Sequence, residues 1–393
     1  MECSPENYSR YNILFYNTET KSTLIEILKC HDIEYIEKLK NSCKALINPN
    51  DKYNDLIEEE IIVDSNLYTY IETKEPDPNK KEYEKLDIDT YINWYSYENI
   101  YNTTGCVFKA IDLIIGKQVT NAIALVRPQG NQIGYYGPAQ NPFKTSLFGF
   151  CLVKNVAIGA AYAKYKYRNT ISRIAIIDFD LHHGNGTEEI IRMLMGKGYS
   201  EYALSKNSDS FVKHAKKRIN WLNFDDPKNV LFVSTHLYDE KNKNKIFHYT
   251  GSVETNTKED DEYYPGGILN VPFDKSNNID YCSVFELKII PRLRIFKPDL
   301  IFISAGFDVH KSEKINRGFL QLDEFDFAYI TQQIQLVANE FSEGRVVSVL
   351  EGGYNTSSGI ISFFAQSIFT HVRFLNSSIN MLYYDDKYDK NLF

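Results

Sequence analysis

The sequence lacks the features that mark several large classes of protein. Its six cysteines are scattered and form no CxxC pair, which argues against a disulfide framework and against a structural zinc ribbon. No window approaches the roughly 18 uncharged apolar residues that a membrane-spanning helix needs. A P-loop and a GxGxxG motif are absent as well, so nucleotide chemistry has no support.

An excess of positive charge is also missing. The formal net charge is -8 at pH 7, so unaided binding to nucleic acid or to an anionic membrane is disfavoured. The first residues show no basic stretch followed by an apolar one, so no secretory signal is expected. With the scattered cysteines, this predicts a protein of the nucleus or the cytoplasm, without a nucleic-acid or membrane partner.

The sequence does contain short apolar runs separated by helical patterns. Each run is too short for an ordinary helix and lacks alternation, which is typical of strands buried on both faces of a parallel sheet. Such a series predicts a three-layer αβα domain with a central, mostly parallel sheet. Strands are predicted at Ala122–Val126, Ile174–Ile177, Val230–Val233, Leu300–Ile303 and Val346–Leu350, and helices at Tyr97–Ile115, Asn155–Tyr167, Asp280–Ile295 and Leu322–Phe341.

Polar residues follow each predicted strand, including DFDLHH after IAII and SAGFDVH after LIFI. Ligands bind beyond the carboxyl ends of parallel strands, so these tails should converge on one crevice. Asp180 and His182 are two residues apart and would share one face of an extended chain, and Asp308 can supply a third ligand. This donor set leaves a tetrahedral Zn²⁺ with an open position, as in catalytic sites. Asp178 is better placed to support these ligands or to hold a monovalent cation.

Several motifs in combination make the chain recognisable: ALVRPQG, GFCLVKNVAIGAA, IDFDLHHGNGT, SAGFDVHKSE and VLEGGY. The chain resembles the zinc-dependent histone deacetylase family, closer to the class II and fungal Hos3-like branch than to class I. The resemblance implies an arginase/deacetylase-like fold that removes acetyl groups from protein lysine, with histone tails as substrates and chromatin-regulatory complex subunits as partners. It also implies one deacetylase-like domain over residues 1–393. The charge-rich segments 58–85 and 238–263 are predicted surface insertions, and a short polar tail is expected at the C-terminal end.

The resemblance also assigns roles to individual residues. The zinc ligands fall on Asp180, His182 and Asp308, and a tyrosine that stabilises the transition state falls on Tyr354. Asp178 and Ser234 match part of the family's structural potassium site. Gly149, Phe150 and Tyr264 fall where the family lines the acetyl-lysine channel. Asp89 lies near the family's rim aspartate, which holds the substrate backbone.

The family's pair of acid-base histidines is missing. The family places two histidines after RPPG, whereas here RPQG is followed by Asn131 and Gln132, whose amides do not titrate near neutral pH. Asp178 and Asn185, which orient those histidines in the family, would lose their partners. His310 is one candidate substitute base. The long interval 133–148 is predicted as a surface excursion, with the alternative that it brings Tyr135 or Tyr136 into the pocket.

Two functions are compatible with these residues. The first is a zinc-dependent protein-lysine deacetylase, weakened or using an unconventional base, and the zinc ligands and Tyr354 favour it. The second is a catalytically inactive relative that binds acyl-lysine or serves as a chromatin-complex subunit, and Asn131 and Gln132 favour that one.

Overall fold

Strands and helices alternate along most of the chain in the computed structural model, which describes residues 13, 15–46, 81–87, 90–138, 148–203, 212–238, 250–273, 280–357 and 361–376. The strands are β1 (Tyr83–Lys85), β2 (Tyr91–Asn93), β3 (Asn121–Ala124), β4 (Ile133–Gly134), β5 (Gly137–Pro138), β6 (Ile174–Asp178), β7 (Gly198–Ala203), β8 (Val212–Lys217), β9 (Val230–Leu237), β10 (Gly267–Phe273), β11 (Leu300–Ala305) and β12 (Val346–Leu350). The helices are α1 (Leu24–Ile27), α2 (Ile33–Lys44), α3 (Ser96–Ile115), α4 (Asn155–Lys166), α5 (Asn185–Leu194), α6 (Tyr281–Val284), α7 (Ile290–Phe296), α8 (Glu324–Phe341) and α9 (Phe363–Leu375). No helix in the described part of the chain has both the length and the apolar character to cross a membrane.

Six strands form one central sheet in the order β10-β9-β6-β11-β12-β3. Every neighbouring pair in this sheet is parallel. β6 and β11 are neighbours in the middle of the sheet, so the chain segments that follow them emerge side by side. This arrangement is what brings distant parts of the sequence to one site.

Apolar residues fill both faces of the sheet. All five residues of β6 are buried. Ile174 and Ile176 pack on the side that holds α3, α4 and α5, whereas Ala175 and Ile177 pack on the side that holds α7 and α8. The predicted three-layer αβα fold with a central parallel sheet is therefore confirmed.

The edge strand β10 was not predicted. Its sequence, GILNVPF, contains Asn270 and Pro272, which interrupt the apolar run. Among the described strands β10 pairs only with β9, and an edge strand tolerates a proline because one side of it makes no ladder hydrogen bonds. Four helices of the described residues, α1, α2, α5 and α9, were also absent from the prediction.

The two predicted insertions are described only in part. Residues 58–80, residues 239–249 and the tail after residue 376 lie outside the described residues. Residues 83–85 form β1, which pairs with β2. From Thr250 onward the second segment packs into the molecule: Tyr263 is 9% exposed and its hydroxyl donates to Met195 O at 2.9 Å. The charged residues of this half, Lys258, Glu259, Asp260 and Glu262, are exposed.

Candidate active site

Three side chains that could bind one metal ion meet at the carboxyl end of the sheet. Asp180 and His182 follow β6, and Asp308 follows the neighbouring strand β11. One ligand atom from each residue lies within 4.8 Å of the other two. Asp180 and Asp308 are only 1% and 0% exposed, and His182 Nδ1 lies 3.1 Å from Asp308 Oδ2. The structure thus brings together the three residues that the sequence singled out; we call them the ligand group.

The surroundings of the ligand group suit a bound cation. Asp308 Oδ2 is buried and, apart from the His182 ring at 3.1 Å, has no hydrogen-bond partner among the described residues, which is costly for a carboxylate oxygen. Burial, followed by the charge of Asp180, raises the pKa of Asp308. Burial disfavours a charged His182 ring, but the carboxylates of Asp180 and Asp308 outweigh it and raise the pKa of His182 to about 10. One imidazole between two acidic side chains is a donor set that zinc binds.

The backbone holds both carboxylates in place. Asp180 Oδ2 accepts a hydrogen bond from Gly352 N at 2.8 Å, and Asp308 Oδ1 accepts one from Leu181 N at 3.0 Å. A Cβ atom at Gly306 would lie 2.2 Å from Asp180 Oδ2, and one at Gly352 would lie 2.5 Å from Asp308 Oδ2. Both positions need glycine, because the backbone approaches the carboxylates too closely for any side chain.

Tyr354 and Phe150 form an aromatic pair beside the ligand group. Their ring centroids are 5.6 Å apart. Gly149 and Phe150 both have positive φ, +55° and +64°, and Phe150 N donates to Thr90 Oγ1 at 3.0 Å. Burial, followed by the charges of the two ligand carboxylates, raises the pKa of Tyr354 well above its ordinary value. Tyr354 therefore keeps its proton at neutral pH and can act as a hydrogen-bond donor.

Asn131 and Gln132 stand close to this aromatic pair. Asn131 is 1% exposed; its Oδ1 lies 3.8 Å from Cys151 Sγ, and its Nδ2 has no hydrogen-bond partner among the described residues. The Gln132 side chain packs on Gly149, where a Cβ atom would lie 2.1 Å from Gln132 Oε1. Neither amide can take up or release a proton near neutral pH.

Asp178 and Ser234 lie opposite each other in the register of β6 and β9. Asp178 Oδ1 accepts a hydrogen bond from Asp180 N at 3.0 Å, and Ser234 Oγ lies 3.0 Å from His236 Nδ1. Asp178 Oδ2 and Asn185 Oδ1 are both buried without a hydrogen-bond partner in the described residues. These are the two side chains that the resemblance predicts to be without histidine partners.

The other histidines near the ligand group are held by other partners. His310 Nε2 lies 3.2 Å from Glu324 Oε1, and its Nδ1 accepts a hydrogen bond from Ser312 N at 3.0 Å. His183 Nε2 lies 3.1 Å from Glu188 Oε2. Both imidazoles are therefore engaged away from the ligand group, and the geometry favours neither as a substitute base.

The start of the 133–148 interval packs on two helices. Tyr135 N donates to Glu189 Oε1 of α5 at 3.2 Å, and Tyr135 O accepts from Asp32 N, at the start of α2, at 2.8 Å. Tyr135 is 8% exposed and belongs to the core on this face, whereas Tyr136 is 38% exposed. Residues 139–147 lie outside the described residues. The geometry does not favour Tyr135 as a pocket residue.

The remaining predicted residues are Tyr264, assigned to the channel wall, and Asp89, assigned to the channel rim. Tyr264 precedes β10, and a Cβ atom at Gly266 would lie 2.7 Å from Lys228 O, just before β9 begins. Tyr264 therefore lies at the amino end of the parallel sheet, whereas the ligand group lies at the carboxyl end. The prediction that Tyr264 lines the channel is wrong, because it did not anticipate that a strand follows this tyrosine. Asp89 lies outside the described residues.

Two further residues at the site were not found from the sequence. Gln129 is 3% exposed, and its Nε2 donates to the Tyr354 hydroxyl at 2.7 Å. Lys154 is fully buried, and its Nζ donates to the Asn131 carbonyl oxygen. Burial lowers the pKa of Lys154 to about 8. The signal available for Gln129 was its place in RPQG, where the family has a second proline.

Comparison with known proteins agrees with the fold and the motifs. The histone deacetylase domain family matches residues 5–368 of the chain. Type-2 histone deacetylase 2 of Dictyostelium discoideum is 33% identical over 332 residues, which are 84% of this chain and 16% of that protein. Type-2 histone deacetylase 1 of the same organism is 31% identical over 305 residues, which are 69% of this chain and 19% of that protein.

A solved structure, the HDA15 HD domain, matches with a TM-score of 0.59 and 22% identity over 90% of this chain and 73% of that one. At this identity the match shows the fold alone, and it confirms the predicted arginase/deacetylase-like fold class. The chain spans less than a fifth of the length of the two Dictyostelium relatives. A family match that covers most of the chain, relatives of the type-2 class and a shared fold lead to one conclusion: the chain belongs to the histone deacetylase domain family.

Proposed function

We propose that this protein is a zinc-dependent protein-lysine deacetylase that acts slowly or through an unconventional base, with acetylated histone tails as its substrate class. The observation that carries the proposal is the ligand group of Asp180, His182 and Asp308, whose ligand atoms lie within 4.8 Å of one another. Tyr354 stands beside it with its proton retained. Family membership supports the same reaction class.

Each part of the site has a chemical task in this proposal. A bound Zn²⁺ would supply Lewis-acid polarisation of the amide carbonyl and a lower pKa for water. Asp180, His182 and Asp308 would hold the ion. The Tyr354 hydroxyl would donate a hydrogen bond to the oxygen of the acetyl carbonyl as negative charge develops there. Gly149 and Phe150 would form the wall along which the lysine side chain enters.

The site has no titratable side chain at positions 131 and 132 for the proton transfers that amide hydrolysis needs. A water that attacks an amide must lose a proton and the leaving amine must gain one, yet Asn131 and Gln132 can do neither. A positioned acid-base group contributes roughly 10²- to 10⁴-fold to a rate, so its loss predicts slow turnover. The oxyanion donor still contributes on the order of 10²- to 10³-fold, so slow turnover is compatible with the site.

A fluorogenic acetyl-lysine peptide, assayed with purified protein of measured zinc content, tests the proposal. We expect slow turnover that a zinc-binding inhibitor abolishes and that Asp308→Asn and Tyr354→Phe each reduce by at least about 100-fold. Asp260→Asn, at an exposed site, is the matched control. If inhibitor-sensitive turnover is absent from the folded, zinc-loaded protein, the proposed activity is wrong.

The second candidate is a catalytically inactive relative that binds acyl-lysine or joins a chromatin-regulatory complex. The buried side chain of Asn131 favours it, because an amide at that position cannot titrate. Binding of an acetyl-lysine peptide with no release of acetate over hours would support this candidate against the first.

Several finer assignments belong to the same proposal. A potassium ion would bind at Asp178 and Ser234, which the register of β6 and β9 sets side by side. Asp89 would grip the substrate at the rim. The chain would form one domain with charged insertions. It would act in the nucleus or the cytoplasm, without direct nucleic-acid or membrane partners. It would belong to the class II or Hos3-like branch, and in this chain Asn131 and Gln132 would replace the histidine pair.

A further inference from the structure

The RPQG segment, residues 127–130, is hydrogen-bonded to residues 351–353, which directly precede Tyr354. Arg127 Nη2 donates to Gly353 O at 3.2 Å, and its Nη1 donates to the Glu351 carbonyl. Gly130 N donates to Glu351 Oε2 at 2.6 Å. These bonds flank Gln129 on both sides, so the side chain of Gln129 leaves a backbone that is fixed relative to residues 351–353.

Both amide hydrogens of Gln129 are used at this site. Gln129 Nε2 lies 3.1 Å from Gly149 O and 2.7 Å from the Tyr354 hydroxyl. The orientation of the amide follows from chemistry: a backbone carbonyl only accepts hydrogen bonds, so the atom that faces Gly149 O must be the nitrogen. The second hydrogen on that nitrogen then points at the oxygen of Tyr354.

A hydroxyl that accepts a hydrogen bond on its oxygen must direct its own hydrogen elsewhere. The Tyr354 hydroxyl accepts from Gln129, so its hydrogen is turned away from Gln129. We infer that Gln129 is a positioning residue that fixes the Tyr354 hydroxyl as a donor toward the ligand group and couples Tyr354 to the channel wall at Gly149. The inference rests on the proposed deacetylase function for its kinetic consequence, whereas the contact itself can be measured without turnover.

Two variants test the inference. Gln129→Leu removes both donors at similar volume, and Gln129→Glu keeps the shape but offers the hydroxyl an acceptor that would draw its hydrogen away from the ligand group. We expect kcat for acetyl-lysine peptide to fall by about tenfold in the leucine variant and further in the glutamate variant, with KM within about twofold of the unchanged protein. Gln118→Leu, at an exposed glutamine after α3, is the matched control and should leave kcat unchanged.

A second readout does not depend on activity. 3-Fluorotyrosine placed at position 354 gives a ¹⁹F resonance that responds to hydrogen bonding at the phenol oxygen. Gln129→Leu should shift this resonance, while Gln118→Leu should not. If the resonance does not shift in Gln129→Leu, the inference is wrong whatever the turnover. If the resonance shifts but kcat of Gln129→Leu is unchanged, the inference is also wrong. A shifted resonance in a protein that shows no turnover supports the contact and removes the proposed deacetylase function instead.

Discussion

At the scale of single residues, the site combines a well-formed ligand group with an unsatisfied polar neighbourhood. Asn131 Nδ2, Asp178 Oδ2 and Asn185 Oδ1 are all buried and, within the described residues, lack hydrogen-bond partners. Each such group costs roughly 1–3 kcal/mol when it is left unpaired. Two of these groups, on Asp178 and Asn185, are acceptors that lack a donor, and a donor introduced nearby would satisfy them.

Restoring the histidines should raise the activity. In the double variant Asn131→His and Gln132→His, the new imidazoles could donate to Asp178 and Asn185 and act as acid and base. We expect kcat/KM on an acetyl-lysine peptide to increase by roughly 10²-fold or more. The double variant Asn131→Leu and Gln132→Leu should show no increase. An unchanged rate in a folded histidine variant would mean that the pocket itself, and not only proton transfer, has been altered.

Removing one carboxylate should remove the metal. Asp308→Asn replaces a charged ligand by a neutral one that zinc binds poorly, so zinc content by elemental analysis should fall well below one ion per chain. Addition of zinc should raise the melting temperature of the unchanged protein, because a ligand that binds only the folded state stabilises it. Asp260→Asn should behave like the unchanged protein in both measurements, and an Asp308→Asn variant that still binds zinc fully would contradict the assignment.

The sequence allowed the ligand group to be predicted because its members follow strands with recognisable apolar runs, and because Asp180 and His182 have the two-residue spacing of extended chain. Tyr264 was misplaced because its motif was matched without a strand after it. Gln129 and Lys154 were missed since their partners, Tyr354 and the Asn131 carbonyl, are known only once the chain is folded.

At the scale of whole elements, strands were predicted where the run is apolar or holds one small polar residue, such as Ser348 in β12, and β10 was missed because an asparagine and a proline interrupt it. Five of the six strands of the central sheet were predicted, and the sixth, β10, carries Asn270 and Pro272. α5 was missed because it begins inside HHGNG, a stretch whose glycines argue against a helix. The missed elements are linked to each other: Asn270 Nδ2 of β10 donates to Glu188 Oε2 of α5 at 2.6 Å.

Glu188 should contribute measurably to stability, because it ties α5 to β10. It lies 3.1 Å from His183 Nε2 and 2.6 Å from Arg192 Nη2. Burial disfavours the carboxylate, but His183 and Arg192 outweigh burial and lower the pKa of Glu188 to about 2. Glu188→Gln should reduce the free energy of unfolding, measured in urea at pH 7, by about 1–3 kcal/mol.

The exposed Glu37→Gln on α2 serves as the control for Glu188→Gln and should change stability little. Because the pKa of Glu188 is lowered on folding, its contribution is complete above the ordinary pKa of 4.5 and is lost as the pH falls toward 2. Equal stability of both variants near neutral pH would show that the Glu188 contacts are not stabilising.

At the scale of the whole molecule, several histidines are buried in the core. His31 and His371 are both 0% exposed, and burial lowers the pKa of each to about 3. His371 lies 2.7 Å from Thr331 Oγ1 and 2.8 Å from Ser348 Oγ, between α8 and β12. The unfolded chain takes up protons on these rings near pH 6.5, and the folded chain does not.

These two histidines should therefore contribute less to stability as the medium becomes acidic. Between pH 6.5 and pH 3 their rings bind more protons in the unfolded state than in the folded state, so their contribution to the free energy of unfolding falls as the pH falls. Each histidine should account for about 2 kcal/mol between pH 7 and pH 5. In urea unfolding, His371→Phe should be less stable at pH 7 but should lose about 2 kcal/mol less on going to pH 5. A variant with the same pH dependence as the unchanged protein would contradict this origin of acid sensitivity.

The glycines beneath the ligand group have a consequence for the order of assembly. Gly306 and Gly352 let the main chain approach the carboxylates of Asp180 and Asp308 closely, and backbone N–H groups donate hydrogen bonds to both carboxylates. Folding itself thus places the carboxylates of Asp180 and Asp308 in position, so a metal ion would bind to a site that has already formed. Metal uptake would then be a late event on a finished scaffold, unlike the metal-driven folding of a zinc finger.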